Sequence, residues 1–564
     1  MNTDRLAMLR ATSKADPSSQ KPIPVIWLVL AWFILLFVIL VSALAQVEPV
    51  KLNGPLVEGG EILSFAISAD GAKVVYLADE DIDEVDELYS VSIVGGAPTK
   101  LNEPLEGGRD VRFNGFLLSP DGTKALFVAS QDSEDVFELF TVPIEGGNVE
   151  KLNDPLPAGG DIREFFFGPN MERVIYTGDQ TRNGVIELYS VPASGGAVTK
   201  LNDDLVSGGQ IIFDPIFSPD GGTVVYVADQ DTNRVQEFYS VPAAGGIVTK
   251  LNQPLSANGD VNGSGFRIHP DGSTVLYLAA VNQLGTDELF SVPIDGGPIT
   301  TLNSPLVSGG RVFRFQISPD GLRVLYVADQ DTDNLLELYS VLIGGGGGVK
   351  LSDPTLGRVG PFALSADGSS VFYQASNNRT ELFSVPPGGG ISTKLNTPLP
   401  NRDIVSTFEI SDEVRAVVYA TVPDQASKDG GVATKGQPPV NALFSVPFGG
   451  GPVTTLVDGF PAGTGITRYV ITPDGRAVLF LADRDTQGVS ELFIVSIEGG
   501  AIQKVNPPLV SGGSVEFFDV SPDGSRIIYR ADQLADGVVE LFSAPRGSIG
   551  LPDPVFFDGF EEAP

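Results

Sequence analysis

The chain has 564 residues and carries 36 lysines and arginines against 71 aspartates and glutamates, a formal net charge of −35. Such an acidic surface repels nucleic acid, because nucleic-acid binding depends on neutralising phosphates with basic side chains. The sequence has no cysteine and one histidine, which excludes disulfides, thiolate catalysis and a zinc site built from several Cys or His ligands.

The first predicted element is an apolar helix near the N-terminus. Residues 25–44 form an apolar run without a charge, close to the ~20 residues that a helix needs to cross a bilayer. Residues 1–21 carry basic side chains, which favour keeping that end in the cytoplasm. Ala43-Leu44-Ala45 is a signal-peptidase type of site, so residues 22–45 are predicted to be either a cleaved signal peptide or an anchor. Both alternatives predict a periplasmic or extracellular location for the remaining chain, with residues 25–44 as its only membrane contact.

After residue 47 the sequence is an internal repeat with a period of about 50 residues. Residues 301–350 show the unit: RVFRFQIS, a Pro-Asp-Gly turn, LRVLYVA, an acidic loop, LLELYSVLI, a glycine turn and GVKLS. Three markers, the Leu-Asn pair, the Asp-Gly turn and Glu-Leu-Tyr/Phe-Ser, each occur ten times when close variants are included. Each unit is therefore predicted to form four short strands.

This period fits the four-stranded blade of a β-propeller, and no helical periodicity lies between the strands. We expect an all-β fold, a single propeller of about ten blades over residues 46–546, followed by a tail over 547–564. Residues 47–53 read as a fourth strand that precedes any first strand, and the last repeat lacks a fourth strand of its own. The N-terminal strand is therefore predicted to complete the last blade and close the ring. Two smaller rings and an open arc are the alternatives.

The turn motif Ser-Pro-Asp-Gly, followed by a strand, an acidic loop, ELYSVP and a Gly-Gly pair, resembles the WD40-like propeller repeats of the TolB family. The turns at 218–221, 318–321 and 521–524 show the motif best. The resemblance covers nearly all of residues 47–546. It implies a periplasmic or extracellular propeller that makes protein contacts.

The loops between second and third strands carry alternating aspartates. Carboxylates on a turning loop can converge on Ca²⁺, which takes about 6–8 oxygen ligands. These loops lack the glycine and the distal glutamate of an EF-hand loop, and Asp is also a common turn residue. The candidate Ca²⁺ ligands are Asp79, Asp81, Asp83, Asp229, Asp231, Asp329, Asp331 and Asp333.

Catalytic motifs are absent from the sequence. The only histidine, His269, takes the serine position of a blade turn, and no GxSxG nucleophile motif accompanies it. The glycine run 344–348 lacks the Lys-Ser/Thr of a phosphate loop and is predicted to be a hairpin turn. On these grounds we expect no catalytic residues, no cofactor other than Ca²⁺, and a protein that is not an enzyme.

The eighth repeat carries a longer loop over residues 422–441, in which Lys428 and Lys435 are candidate binding residues. Taken together, the sequence predicts a monomeric exported scaffold that binds a protein or polysaccharide through one face of the ring. Two alternatives stay open. One is a Ca²⁺-dependent adhesion or structural module, and the other is a hydrolase or lyase that uses a pair of carboxylates.

Overall fold

The computed structural model describes residues 48–105, 108–399, 403–423, 440–461 and 463–546. Within these ranges the regular secondary structure consists of β-strands and one 3-10 helix at Pro354–Leu356. No helix of the described part is long and apolar enough to span a membrane. The predicted segments 1–21, 22–45 and 547–564, and most of the insertion at 422–441, lie outside the described residues.

The strands fall into four ranks according to their place in the repeat. The first strands are β2 (Ile62–Ile67), β6 (Val111–Leu118), β10 (Ile162–Phe167), β14 (Ile216–Phe217), β18 (Asp260–Ile268), β22 (Val312–Ile317), β26 (Arg358–Leu364), β30 (Asp403–Ser411), β34 (Ile466–Ile471) and β38 (Val515–Val520). The second strands are β3 (Lys73–Ala78), β7 (Lys124–Ala129), β11 (Arg173–Gly178), β15 (Thr223–Ala228), β19 (Thr274–Ala280), β23 (Arg323–Ala328), β27 (Val371–Ser376), β31 (Ala416–Pro423), β35 (Ala477–Ala482) and β39 (Arg526–Ala531). The third strands are β4 (Glu87–Ser92), β8 (Glu138–Pro143), β12 (Glu187–Pro192), β16 (Glu237–Pro242), β20 (Glu288–Pro293), β24 (Glu337–Leu342), β28 (Thr380–Val385), β32 (Ala442–Pro447), β36 (Glu491–Ser496) and β40 (Glu540–Pro545). The fourth strands are β1 (Val50–Lys51), β5 (Thr99–Lys100), β9 (Glu150–Lys151), β13 (Thr199–Lys200), β17 (Thr249–Lys250), β21 (Thr300–Thr301), β25 (Val349–Lys350), β29 (Thr393–Lys394), β33 (Thr454–Val457) and β37 (Gln503–Lys504).

These strands form ten four-stranded antiparallel sheets, each in the order first, second, third, fourth. We number them as blades 1 to 10, from the sheet of β2–β5 to the sheet that contains β38–β40. The ten-bladed all-β propeller expected from the sequence is confirmed. Nine blades are continuous in the chain, and the tenth has the order β1-β40-β39-β38.

The first strand of the described chain pairs with the last. Val50 lies opposite Ser543 and Lys51 opposite Phe542, and Leu52 N–H donates to Leu541 O at 2.8 Å. One buried cluster also joins Leu52 and residues of blade 1 to Ile528 and Leu541 of blade 10.

The core lies between blades. Alternate residues of each second strand contact opposite neighbours: in β3, Val74 and Tyr76 join a cluster with blade 10, whereas Val75 and Leu77 join a cluster with blade 2. Ten such clusters occur, each shared by two blades. This explains why the second strands are apolar on both faces.

The turns follow the chemistry expected of them. Gly321 of the Asp-Gly turn has φ +71°, and Gly95 and Gly96 of the first Gly-Gly pair have φ +96° and +139°. Blade 3 places Met171 at φ +61° in the position of the turn glycine. In blade 8 the turn at Asp412 places the positive φ (+53°) on Arg415, three residues later.

Candidate functional site

The first aspartate of each predicted calcium loop is engaged by backbone amides. Asp329 accepts the N–H of Arg311 at 2.6 Å and that of Asn334 at 3.1 Å. Asp229 binds in the same way, and Asp79 accepts the N–H of Glu61 at 2.5 Å. These side chains are buried, and their oxygens tie the loop to the start of the first strand. Their contacts are those of loop-forming residues.

The second aspartate of each loop pairs with a lysine of the fourth strand. Lys350 Nζ lies 2.7 Å from Asp331 Oδ2 and 2.8 Å from Oε1 of the buried Glu337. Blades 1 and 4 repeat this triangle with Lys100, Asp81 and Glu87, and with Lys250, Asp231 and Glu237. The lysine therefore supplies the counter-charge that a cation would otherwise have to supply.

The third aspartates, Asp83 and Asp333, lie against glycines of the connection between blades. A Cβ added at Gly59 would meet Asp83 Oδ1 at 2.6 Å, and one at Gly309 would meet Asp333 Oδ1 at 3.1 Å. Within the described ranges, no group of three or more His, Cys, Asp or Glu side chains is placed to hold a metal ion. The structure therefore does not bring the eight candidate carboxylates together, and Ca²⁺ binding stays a prediction. A melting temperature that is equal in EDTA and in millimolar Ca²⁺ would decide against it.

Beside each lysine triangle, two stacked aromatic rings of the second and third strands extend the network. Tyr326 and Tyr339 have ring centroids 5.2 Å apart, and Tyr339 Oη donates to Glu337 Oε2 at 3.0 Å. Burial raises the pKa of Tyr326 to about 12. Burial and the neighbouring Glu337 raise that of Tyr339 as well. These phenols stay protonated at neutral pH and serve as hydrogen-bond donors.

His269 lies in the turn that the sequence predicted. Its Nε2 is 2.9 Å from Gly321 O of the next blade, and its Nδ1 is 2.7 Å from Asp271 Oδ1. The glycine run 344–348 also forms a turn, with positive φ at Gly345 and Gly346. Lys428 and Lys435 lie outside the described residues.

The first strands of neighbouring blades contact one another, as expected of the strands nearest the axis of a propeller. The rings of Phe65 in blade 1 and Phe517 in blade 10 are 5.7 Å apart. Thr407 Oγ1 of blade 8 lies 2.9 Å from Tyr469 Oη of blade 9. We call the ten first strands the inner wall.

The inner wall is where the repeat is least regular. In blade 6 the first strand has one extra residue, between the positions that pair with Ala328 and Val327 of the second strand. In blade 5 the first strand has three extra residues, 263–265, between the positions that pair with Leu278 and Tyr277. Blade 2 has a longer irregularity of the same kind, and in blade 4 the first strand is reduced to Ile216–Phe217. The ring of Phe213 covers the blade 5 irregularity so closely that a Cβ at Gly263 would approach it to 2.0 Å.

Arginines link neighbouring blades by contacting the first strand of the next blade. Arg112 Nη1 of blade 2 donates to Ile162 O of blade 3 at 2.5 Å, and Arg530 Nη1 of blade 10 donates to Ile62 O of blade 1 at 2.8 Å. The guanidinium of Arg468 lies 4.4 Å from the ring of Phe517 in the next blade. The search of the sequence for aspartate loops missed these residues. Arg112 and Arg468 depart from the consensus of the first strand, and Arg530 departs from that of the second strand.

Comparison with known proteins supports the fold and leaves the family open. No protein-family model and no curated protein sequence matches the chain. Solved structures that it resembles include a protein assigned as TolB from Agrobacterium tumefaciens, with 19% identity over 43% of this chain and 79% of that one and a TM-score of 0.27. A prolyl endopeptidase matches with 14% identity, 66% and 56% coverage and a TM-score of 0.35. Dipeptidyl peptidase 4 of Porphyromonas gingivalis matches with 12% identity, 64% and 58% coverage and a TM-score of 0.44.

These matches correct one expectation. The prediction that the protein is not an enzyme is contradicted by the solved propellers that it resembles, which include those of prolyl and dipeptidyl peptidases and of a puromycin hydrolase. This chain spans little more than half the length of those peptidases. At such identities the likeness shows the propeller fold alone, so it assigns no peptidase activity to this chain.

Proposed function

We propose that the protein is an envelope or extracellular β-propeller that binds a protein or polysaccharide partner through its inner wall and the adjoining face. The observation that supports this proposal is that the first strands vary between blades while the other three strands are alike. The second and third strands of every blade stack a pair of aromatic rings, and in eight blades a lysine of the fourth strand pairs with a glutamate of the third. The first strands, in contrast, differ in length and in side chains. In a repeat protein the shared contacts maintain the fold, and the variable positions are available for a ligand.

The rest of the proposed molecule follows the sequence. Residues 1–21 and 22–45 would direct export or anchor the chain, residues 46–546 would be the propeller, and residues 547–564 a tail. The pairing of β1 with β40 and the cluster shared by blades 10 and 1 support a ring that the N-terminal strand closes. A closed ring removes two sheet edges, which favours a monomer.

Capture from an envelope extract with paired variants tests the proposal. The inner-wall variant combines Phe113→Ser and Arg163→Gln, both exposed on first strands. The control combines Ile247→Ser and Ile391→Ser, which are exposed next to fourth strands. We expect the native protein and the control to retain the same partner and the inner-wall variant to lose it. Equal recovery by all three would refute an inner-wall binding site.

A second candidate, a hydrolase or lyase that uses two carboxylates, is favoured by Glu164 and Asp214. Burial and the charge of Asp214 raise the pKa of Glu164, which lies on the first strand of blade 3. A carboxyl with a raised pKa beside a second carboxyl group is the arrangement of a general acid and its partner. If the pair is catalytic, turnover on a glycan or peptide panel should disappear in Glu164→Gln and in Asp214→Asn. Turnover that survives both substitutions would exclude these residues.

A further inference from the structure

Four arginines occupy one sector of the inner wall. Arg267 lies on the first strand of blade 5, Arg314 on that of blade 6 and Arg358 on that of blade 7, while Arg311 directly precedes the first strand of blade 6. Arg267, Arg314 and Arg358 are exposed, and Arg311 is half-buried. We call these four residues the arginine arc.

No member of the arginine arc forms an ion pair with a described residue. The arginines that form ion pairs in the described part of the protein are Arg112, Arg415, Arg484, Arg530 and Arg546, and no member of the arc is among them. Burial raises the pKa of the half-buried Asp260 and Asp287 of blade 5, and the charge of Arg311 acts in the opposite direction on Asp287. In a chain with a net charge of −35, Arg267, Arg314 and Arg358 therefore present positive charge that no ion pair with a described residue neutralises.

Backbone and ring contacts hold the guanidinium groups in place. Arg314 donates from Nη2 to Gly360 O of blade 7 and lies 5.7 Å from the centroid of the Phe362 ring. Arg311 lies 4.2 Å from the Phe313 ring, and Arg267 Nη1 donates to Phe266 O at 2.6 Å. Partial burial and the neighbouring Arg358 lower the pKa of Arg314, which shows that these two charges repel each other across the blade boundary. An anion would relieve that repulsion.

We propose that the arginine arc binds the carboxylates of a short acidic oligosaccharide, a substrate or ligand class that rests on the proposed binding function. A guanidinium presents its donors in a fork that matches a carboxylate, and the phenylalanines beside it offer apolar faces for sugar rings. The acidic exterior would repel a long polyanion. At physiological ionic strength charges are screened beyond about 8 Å, so a short chain bound at the inner wall responds to the arc.

Titration calorimetry with a six-residue oligouronate tests the inference, with an uncharged hexasaccharide and a hexaglutamate peptide as comparison ligands. The arc variant combines Arg314→Gln and Arg358→Gln. The control combines Arg182→Gln and Arg476→Gln, which are exposed arginines outside the inner wall and form no ion pair with a described residue. Equal melting temperatures of both variants and the native protein establish that they are folded.

We expect the native protein and the control to bind the oligouronate and the arc variant to bind it at least about tenfold more weakly, with no binding of the uncharged sugar. No binding by the native protein, or equal binding by the arc variant, would overturn the inference. Hexaglutamate binding as tight as that of the oligouronate would overturn the choice of a sugar. If partner capture persists in the native protein while the oligouronate does not bind, the inference fails and the proposed function stands.

Discussion

The tenfold repeat lets single residues be compared at equivalent positions within one molecule. Turn glycines with positive φ adopt a conformation that costs an L-residue roughly 1–2 kcal/mol. Met171 and Arg415 show that the fold tolerates that cost in individual blades. The turn glycine thus contributes to stability locally, and its contribution is small beside that of the core that the blades share.

Gly321→Ala is expected to lower the free energy of unfolding by about 1–2 kcal/mol, because φ is +71° and the added Cβ would lie 2.5 Å from His269 Nε2. Gly347→Ala is the matched control, since nothing lies within 4 Å of its Cβ position. Chemical denaturation of both variants measures the difference. Equal effects of the two substitutions would contradict the conformational argument.

Asp86 gives a pH dependence of known sign. Burial and the nearby Asp110, Asp79 and Glu61 raise its pKa to about 6. Between about pH 4 and 6 the unfolded chain has already released the proton that the folded chain retains, so stability falls as the pH rises. Asp86→Asn should therefore stabilise the protein at pH 7 by about 1 kcal/mol, after allowance for solvent screening, and should have no such effect below about pH 4.

For Asp320 the pKa shift, and with it the pH dependence of stability, has the opposite sign. Hydrogen bonds from the Ser318 hydroxyl and the Leu322 N–H lower its pKa. The charged form therefore stabilises the folded chain above the ordinary aspartate pKa, and this contribution disappears as the pH falls through the lower folded-state value. Asp320→Asn should destabilise at pH 7 and lose that effect in acid, as measured by melting curves across pH. If both asparagine variants showed the same pH profile, the assignment of these shifts would be incorrect.

At the scale of the element, the fourth strand is stabilised mainly by side chains. Most fourth strands have only two residues, too few for a long ladder of backbone hydrogen bonds. In blade 5 the side chain of Asn303 supplies additional hydrogen bonds at the end of the fourth strand. Its Oδ1 accepts the Leu289 N–H at 2.7 Å, and its Nδ2 donates to Ser304 O at 3.0 Å. The same asparagine contact recurs in most blades.

The lysine of the fourth strand is expected to contribute more to the free energy of unfolding than the asparagine that follows it. Lys350→Met leaves the buried Glu337 without its counter-charge and should cost about 2 kcal/mol, less than a fully buried pair because the lysine is 28% exposed. Adding Glu337→Gln should recover part of the loss. A double-mutant cycle measures the coupling energy. Additive effects of the two substitutions would show that the pair is not coupled.

At the scale of the whole molecule, stability is pooled across blade boundaries. Every described blade shares a buried cluster with each of two others, so no sheet has a complete core of its own. A structure of this kind depends on every junction, including the one between blades 10 and 1.

Ring closure can be tested by comparing equivalent leucines. Leu52 and Leu302 precede the same Asn position and are both buried. Leu52→Ala and Leu302→Ala should each destabilise the protein by about 2–5 kcal/mol if the N-terminal strand completes blade 10 as β21 completes blade 5. Denaturation midpoints measure both. A negligible effect of Leu52→Ala beside a large effect of Leu302→Ala would show that the ring is not closed by β1.

The sequence by itself determined the all-β class, the four strands of each blade, the ten repeats and the chemistry of the turns. It could do so because these features depend on contacts between residues that are close in the chain: Ser318 with Asp320, Gly321 with its own backbone, and alternate apolar residues of one strand. The position of His269 in a turn was predictable for the same reason.

Only the tertiary structure decided what the charged residues do. The loop read alone predicts Asp331 as a cation ligand, and the structure adds Lys350, which reaches it from the fourth strand, 19 residues later in the chain. Arg314 and Arg358 are more than 40 residues apart in sequence and become neighbours because blades 6 and 7 pack side by side. Electrostatic partners are set by distance in space, and a repeat pattern along the chain does not encode which distant charges will meet.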